Sequence, residues 1–292
     1  MTDIAVVYAA QNELGEGPLW LADEQQLFWL DMRQGIIWRY AVATGAVASF
    51  ALGLFVSAIA PRQAGGFVVA TQHGFATWQP GQPLSWLVDP ESHLPANRFN
   101  DGAVDSHGRM WAATLTDGDD QTTVPHGSLY RLDPDGQAQG MDTGFYVSNG
   151  LGWSPDNRTM YFTDSWQRII FAYDFDAASG QISHRRPFIL VPEGKGLPDG
   201  LAIDAEGYLW SACWGGGRII RYAPDGQVER EIALPVSYPT SCAFGGPDLT
   251  TLYITSAWTA LTPEQRQAEP LAGAVLRLHA PCPGLPTLPY AG

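Results

Sequence analysis

Three short stretches of this chain place an oxygen-bearing side chain before a glycine and an apolar run: Asn100-Asp101-Gly102-Ala103-Val104, Ser148-Asn149-Gly150-Leu151 and Pro198-Asp199-Gly200-Leu201. Asn100, Asn149 and Asp199 recur at intervals of 49 and 50 residues. Glu16, in Gly15-Glu16-Gly17-Pro18-Leu19-Trp20, holds the corresponding place near the start. Taken singly, an Asp-Gly or Asn-Gly is a turn residue capping its own strand. Donors that return at the mouths of equivalent strands describe instead a ring of ligands around one axis. Two carboxylates and a carboxamide gathered there repel one another or stay unpaired unless a cation joins them. Glu16, Asn149 and Asp199 are therefore the expected metal ligands, for one divalent ion. Hard oxygen donors suit Ca²⁺, Mg²⁺ or Mn²⁺, and Zn²⁺ or Fe²⁺ is also compatible. Arg98 lies two residues before Asn100 and can offer a donor fork to carbonyl or hydroxyl oxygens at the same mouth. It can equally pair with a surface acid, and spacing alone leaves both readings of Arg98 and Asn100 open.

The elements that must position these residues form a repeat. A turn cluster followed by a short apolar-aromatic strand occurs six times, ending at Trp29, Val68, Trp111, Tyr161, Trp210 and Tyr253, in steps of 39, 43, 50, 49 and 43 residues. That is the length of a four-stranded propeller blade. A second alternating strand follows each copy, as in Ile36-Ile37-Trp38-Arg39-Tyr40 and Arg218-Ile219-Ile220-Arg221-Tyr222. The expected fold is all-β, one six-bladed β-propeller domain over residues 1–292, with the metal site at one end of the central channel. Ile4 to Tyr8 precede the first full repeat and are expected to pair with the last blade, closing the ring. Thr262-Pro263-Glu264-Gln265 signals one short helix inside blade six.

Composition narrows the partners. The chain of 292 residues has a net charge of −14, with only 16 scattered Lys and Arg, which excludes nucleic acid and anionic membrane as expected partners. No segment approaches a membrane span and the N-terminus lacks a signal-peptide pattern, so the expected location is cytoplasmic. No obligate protein partner is indicated. Cys213, Cys242 and Cys282 have no CxxC spacing and are expected to be reduced, the first two as core residues. The six histidines show no paired ligand spacing. Gly215-Gly216-Gly217 lies between strands, where a tight connection is expected in place of a phosphate loop. Trp214 is expected in the inter-blade core, with a sugar-facing position as the minor alternative.

At these residues the chain resembles the SMP-30/gluconolactonase/regucalcin family, in particular its bacterial sugar-lactone hydrolases. The matching motifs are Leu14-Gly15-Glu16-Gly17-Pro18-Leu19-Trp20, Asn97-Arg98-Phe99-Asn100-Asp101-Gly102, Val147-Ser148-Asn149-Gly150-Leu151-Gly152-Trp153-Ser154, Pro198-Asp199-Gly200-Leu201 and Pro239-Thr240-Ser241-Cys242-Ala243-Phe244-Gly245-Gly246. They run in the family's order over nearly the whole chain. The resemblance implies a six-bladed propeller, a divalent cation on Glu16, Asn149 and Asp199, and a substrate held by Arg98 and Asn100. It departs from the pattern where some members carry a substrate-contacting Glu: counting places that position on Gly118, within Thr116-Asp117-Gly118-Asp119-Asp120. The expected reaction is metal-assisted hydrolysis of a sugar lactone to its aldonic acid, with Asp199 as general base. The alternatives are hydrolysis of phosphotriesters or aryl esters at the same ion, and a non-catalytic Ca²⁺-binding propeller.

Overall fold

A computed structural model describes residues 3–118 and 123–292. Met1 and Thr2 of the N-terminal segment, and Asp119 and Asp120 of the loop that departs from the family pattern, lie outside the described residues. The structure is a six-bladed β-propeller, as the repeat predicts: six antiparallel sheets of four strands each. Blades one to five take their strands in chain order, from β2 (Gly15–Leu21), β6 (Val56–Pro61), β10 (Asn97–Val104), β14 (Ser148–Trp153) and β18 (Leu197–Ile203) outward. Blade six is built from β22 (Pro239–Gly245), β23 (Thr251–Ser256), β24 (Val275–His279) and the N-terminal β1 (Ile4–Tyr8). The ring therefore closes as expected, with Ile4 opposite Leu278 and Val6 opposite Leu276. The short helix α1 (Pro263–Ala268) is also present, opened by Thr262 in a capping box with Gln265.

The repeated aromatic residues earn their place between blades. Trp29, Trp111 and Trp210 are fully buried, and Trp111 and Trp210 donate their indole N–H to Asp105 and Asp204, both at 2.9 Å. The three cysteines are free and buried, and burial pushes the Cys213 thiol up to about 12, consistent with packing and not with reactivity. Among the described residues, no helix is long and apolar enough to cross a membrane.

The innermost strands β2, β6, β10, β14, β18 and β22 contact one another in turn around the axis. Each breaks register with its neighbour near its first residues: at Glu16/Leu19, Val56/Ala58, Phe99/Asp101, Asn149/Leu151, Pro198/Leu201 and Pro239/Cys242. A bulge re-aims a side chain that regular pleating would send between the sheets. The glycines that follow have a steric reason. A Cβ on Gly150 would lie 2.5 Å from Leu201 N, and one on Gly200 would lie 2.1 Å from Ser241 Oγ, so adjacent inner strands approach too closely for any side chain. The Asn-Gly and Asp-Gly pairs are thus bulge positions inside strands, not the turns that such pairs usually mark.

Below the bulges, a mostly apolar cavity of about 390 Å³ follows the axis, from Gly17, Asp101 and Ser241 to Ser106, Pro155 and the C-terminal segment Leu285–Leu288. That segment is fastened across the far end, through Leu285 N to Ile203 O at 3.2 Å and Tyr290 N to Pro61 O at 2.8 Å.

Candidate functional site

Glu16, Asn149 and Asp199 come from three different blades and are all buried, at 7 %, 6 % and 5 % exposure. Asp199 lies close enough to Glu16 to disfavour its ionisation, and Asn149, whose next residue Gly150 lies against the Asp199 backbone, is held by a fixed network. Its amide nitrogen donates to Ser165 Oγ at 2.9 Å, which turns Asn149 Oδ1 toward Asn100 Nδ2, 3.1 Å away. Asn100 Nδ2 also donates to Ser148 O at 2.7 Å, while its Oδ1 accepts from Arg98 at 2.7 Å. Arg98 is buried, donates to Phe99 O at 3.1 Å and lies 4.2 Å from the centre of the Phe55 ring. Its Nε is 3.3 Å from Asp117 Oδ2, without the alignment of a hydrogen bond. The five residues singled out in the sequence thus converge on one end of the channel. Arg98 spends part of its fork on orienting Asn100, which in turn braces Asn149.

Sequence reasoning left a sixth member without a role. Asp101 is the residue before glycine in its motif, as Glu16, Asn149 and Asp199 are in theirs, and this alignment was the available signal. Glu16 and Asp101 each accept the amide N–H of the following glycine, Gly17 to Glu16 at 3.0 Å and Gly102 to Asp101 at 2.7 Å. Burial, then the charges of Asp199 and Asp101, raise Glu16 well above the ordinary carboxylate range. Burial, then Asp101, does the same to Asp199. Burial lifts Asp101 to about 7.

Asp199 Oδ1 is buried with no hydrogen-bond partner. An orphaned carboxylate oxygen among mutually repelling acids costs several kcal/mol, on the order expected for a partly relaxed buried ion. A divalent cation answers that deficit directly, and the donor set fits one. Among the described residues no group of three His, Cys, Asp or Glu side chains is placed to hold a metal ion.

The same shifts set a pH dependence. Carboxylates raised in the folded state bind more protons than in the unfolded chain between pH about 4, the unfolded value, and pH about 7. Stability of the metal-free protein from this cluster is therefore present at low pH and lost as pH rises through that window. In EDTA the melting temperature should fall from pH 5 to pH 8, and saturating Ca²⁺ should shrink the fall. Scanning fluorimetry checks this; equal slopes with and without the ion would remove the cluster as the cause.

At the rim, Trp214 packs edge-on against Tyr238, with ring centres 4.8 Å apart. It is half-buried, so its core assignment holds only in part. Gly215 to Gly217 form the turn between β19 (Leu209–Trp214) and β20 (Arg218–Tyr222), the tight connection expected. Gly118 takes φ +98 with open space around it. Its neighbour Asp117 is the acid that this loop brings to Arg98.

Comparison with known proteins agrees with this architecture. The chain is 35% identical to regucalcin of Danio rerio, over 99% of this chain and 98% of the relative. It is 38% identical to 6-deoxy-6-sulfogluconolactonase of Pseudomonas putida, over 96% and 95%. A solved structure described as a calcium-binding protein, regucalcin, from Agrobacterium tumefaciens superposes with a TM-score of 0.94 at 28% identity, over 100% of this chain and 98% of that one. The family model for the SMP-30/Gluconolactonase/LRE-like region matches residues 14–258, which take in every bulge and every site residue described above, and the chain belongs to that family.

Proposed function

We propose that this protein hydrolyses a sugar lactone, an aldonolactone such as glucono-, arabinono- or xylonolactone, to the aldonic acid. In this reading it is a carboxylic ester hydrolase that works as one propeller domain, residues 1–292, in cytoplasmic sugar catabolism. The observation that carries the reading is Asp199 Oδ1, a buried acid oxygen without a partner beside two further acids. Gluconolactonase-type hydrolysis is supported by membership of the family and by a relative whose name is that of a lactonase. A divalent cation on Glu16, Asn149 and Asp199 would polarise the ring carbonyl and acidify the attacking water.

The chain's own residues supply the rest. Asp199 takes the proton of the water that attacks the carbonyl carbon, and returns it to the ring oxygen when the C–O bond breaks. Proton transfer of this kind contributes about 10²–10⁴-fold. Asn100, held by Arg98 and with both amide hydrogens engaged by Ser148 O and Asn149 Oδ1, has a lone pair on Oδ1 left to accept from a sugar hydroxyl, and its bond to Asn149 keeps that orientation coupled to the acid cluster. Glu16 and Asp199 enter the site from strands β2 and β18, which hold them in place.

A pH-indicator assay over sugar lactones, aryl esters and phosphotriesters, with and without EDTA, tests the proposal. Acid release from sugar lactones that stops in EDTA is the expected result. Release only from phosphotriesters or aryl esters would move the chemistry to a different ester, and silence on every substrate with tight Ca²⁺ binding would make the propeller a binding module.

A further inference from the structure

The turn between β3 (Gln26–Asp31) and β4 (Ile36–Ala41) presents Arg33 at the site end of the propeller. The turn is firmly held. The Asp31 carboxylate accepts the N–H groups of Glu13, Leu14 and Gln34 at 2.8, 3.3 and 3.4 Å, and Met32 N donates to Leu14 O at 2.9 Å. Gly35, at φ +60, lies so near the Leu54 carbonyl that a Cβ would come within 2.3 Å of its oxygen. The next residue is Phe55, whose ring lies against the Arg98 guanidinium. The Arg33 turn thus lies against Leu54, next to the Phe55 that stacks on Arg98, and Arg98, whose pKa is lowered chiefly by burial, is lowered further by the charge of Arg33.

Arg33 is exposed, and among the described residues no hydrogen bond, ion pair or ring contact engages it. Other cations toward this end are occupied: Lys195 and Arg218 both pair with Glu231, at 2.8 and 2.6 Å, and Arg266 lies 3.8 Å over Trp258. In a chain of net charge −14, Arg33 is an exposed guanidinium without a partner on a firmly held turn, near a second guanidinium that shares its charge with Asp117. Toward the acid cluster, Arg98 is linked through Asn100 to Asn149.

We propose that Arg33 and Arg98 together receive an anionic substituent, a sulfonate or phosphate ester on the exocyclic carbon, so that the substrate class is a charged sugar lactone. This rests on the lactonase reading above. The planar guanidinium fork matches the oxygens of either group. The same charge fixes direction: the anionic end is drawn to the arginines and driven from the acids, which leaves the uncharged ring carbonyl facing Asp199.

The test compares kcat/KM for glucono-1,5-lactone with its 6-phospho and 6-deoxy-6-sulfo analogues, in the native chain, Arg33→Gln and Arg33→Lys, at low and high salt. The expected result is a preference for a charged lactone whose charged-to-neutral ratio falls about tenfold in Arg33→Gln, stays nearer native in Arg33→Lys, and weakens with salt only when the arginine is present. The phospho and sulfo arms separate the two anions. A ratio that Arg33→Gln leaves unchanged, or a native preference for the neutral lactone, overturns the proposal. Calorimetric titration of 6-phosphogluconate gives a readout free of turnover: if no lactone is hydrolysed the lactonase reading fails, and binding of that acid, weakened or not in Arg33→Gln, still decides the role of Arg33.

Discussion

Asp199→Asn should lower lactone turnover by about 10³-fold or more while the metal-free protein becomes harder to melt. The loss combines two effects of one oxygen: the general base is gone, worth about 10²–10⁴-fold, and one of only two carboxylates that would hold the cation is gone as well. The gain in stability has a separate cause. Native Asp199 is buried, raised by its burial and by the charge of Asp101, and has an oxygen with no partner. The amide is neutral and near in shape, so it removes the repulsion and can donate to a neighbouring acid. Turnover with each lactone, together with melting in EDTA, measures both halves. Retained turnover with full metal dependence would end the assignment of Asp199 as base. A lower melting temperature would show that its charge is compensated in a way the orphaned oxygen does not reveal.

Deleting residues 1–9 should lower the melting temperature by roughly 10 °C or more. β1 supplies the fourth strand of blade six, pairing from Ile4 opposite Leu278 to Tyr8 opposite Val275. Ile4 packs on the core between blades five and six, and Tyr8 packs against Trp29 and Trp38 with ring centres 6.1 and 5.9 Å away. Losing two large apolar contacts costs about 2–5 kcal/mol each, and about 2–4 °C follows from each kcal/mol in a chain of this size. The deletion also bares the edge of β24, so aggregation during the melt is expected as well. Calorimetry of the shortened chain decides the matter; a melt within a degree or two of the full chain would mean that the ring closes well enough without its N-terminal strand.

The loss of turnover at Asp199 and the role of the N-terminal strand were legible before any coordinates because they depend on periodicity, whereas the gain in stability was not. The six spaced aromatic strands fix blade number, and the leftover Ile4 to Tyr8 strand has one place to go. The convergence of Glu16, Asn149 and Asp199 followed from the same register. The role of Asp101 did not, although the residue before glycine was its signal: the alignment ran through Asn100, and only the register break between Phe99 and Asp101 shows which side chain reaches the acids. The glycines themselves read as turn formers, and the reason they are required, the 2.1–2.5 Å approach of the next inner strand, involves residues some 40 to 50 positions away.

Strand alternation, blade length and the order of motifs are local properties of a chain, set by the pleat and by turn chemistry, so the sequence by itself determined the propeller, its closure and the identity of the candidate ligands. What the tertiary structure alone decided is electrostatic and steric: which acids repel, which oxygen lacks a partner, that Arg98 braces Asn100, and that the Arg33 turn lies against Leu54, next to the Phe55 that stacks on Arg98. Those facts depend on distances between side chains far apart in the chain, and a charge or a contact varies over a few ångströms in ways that no one-dimensional pattern records.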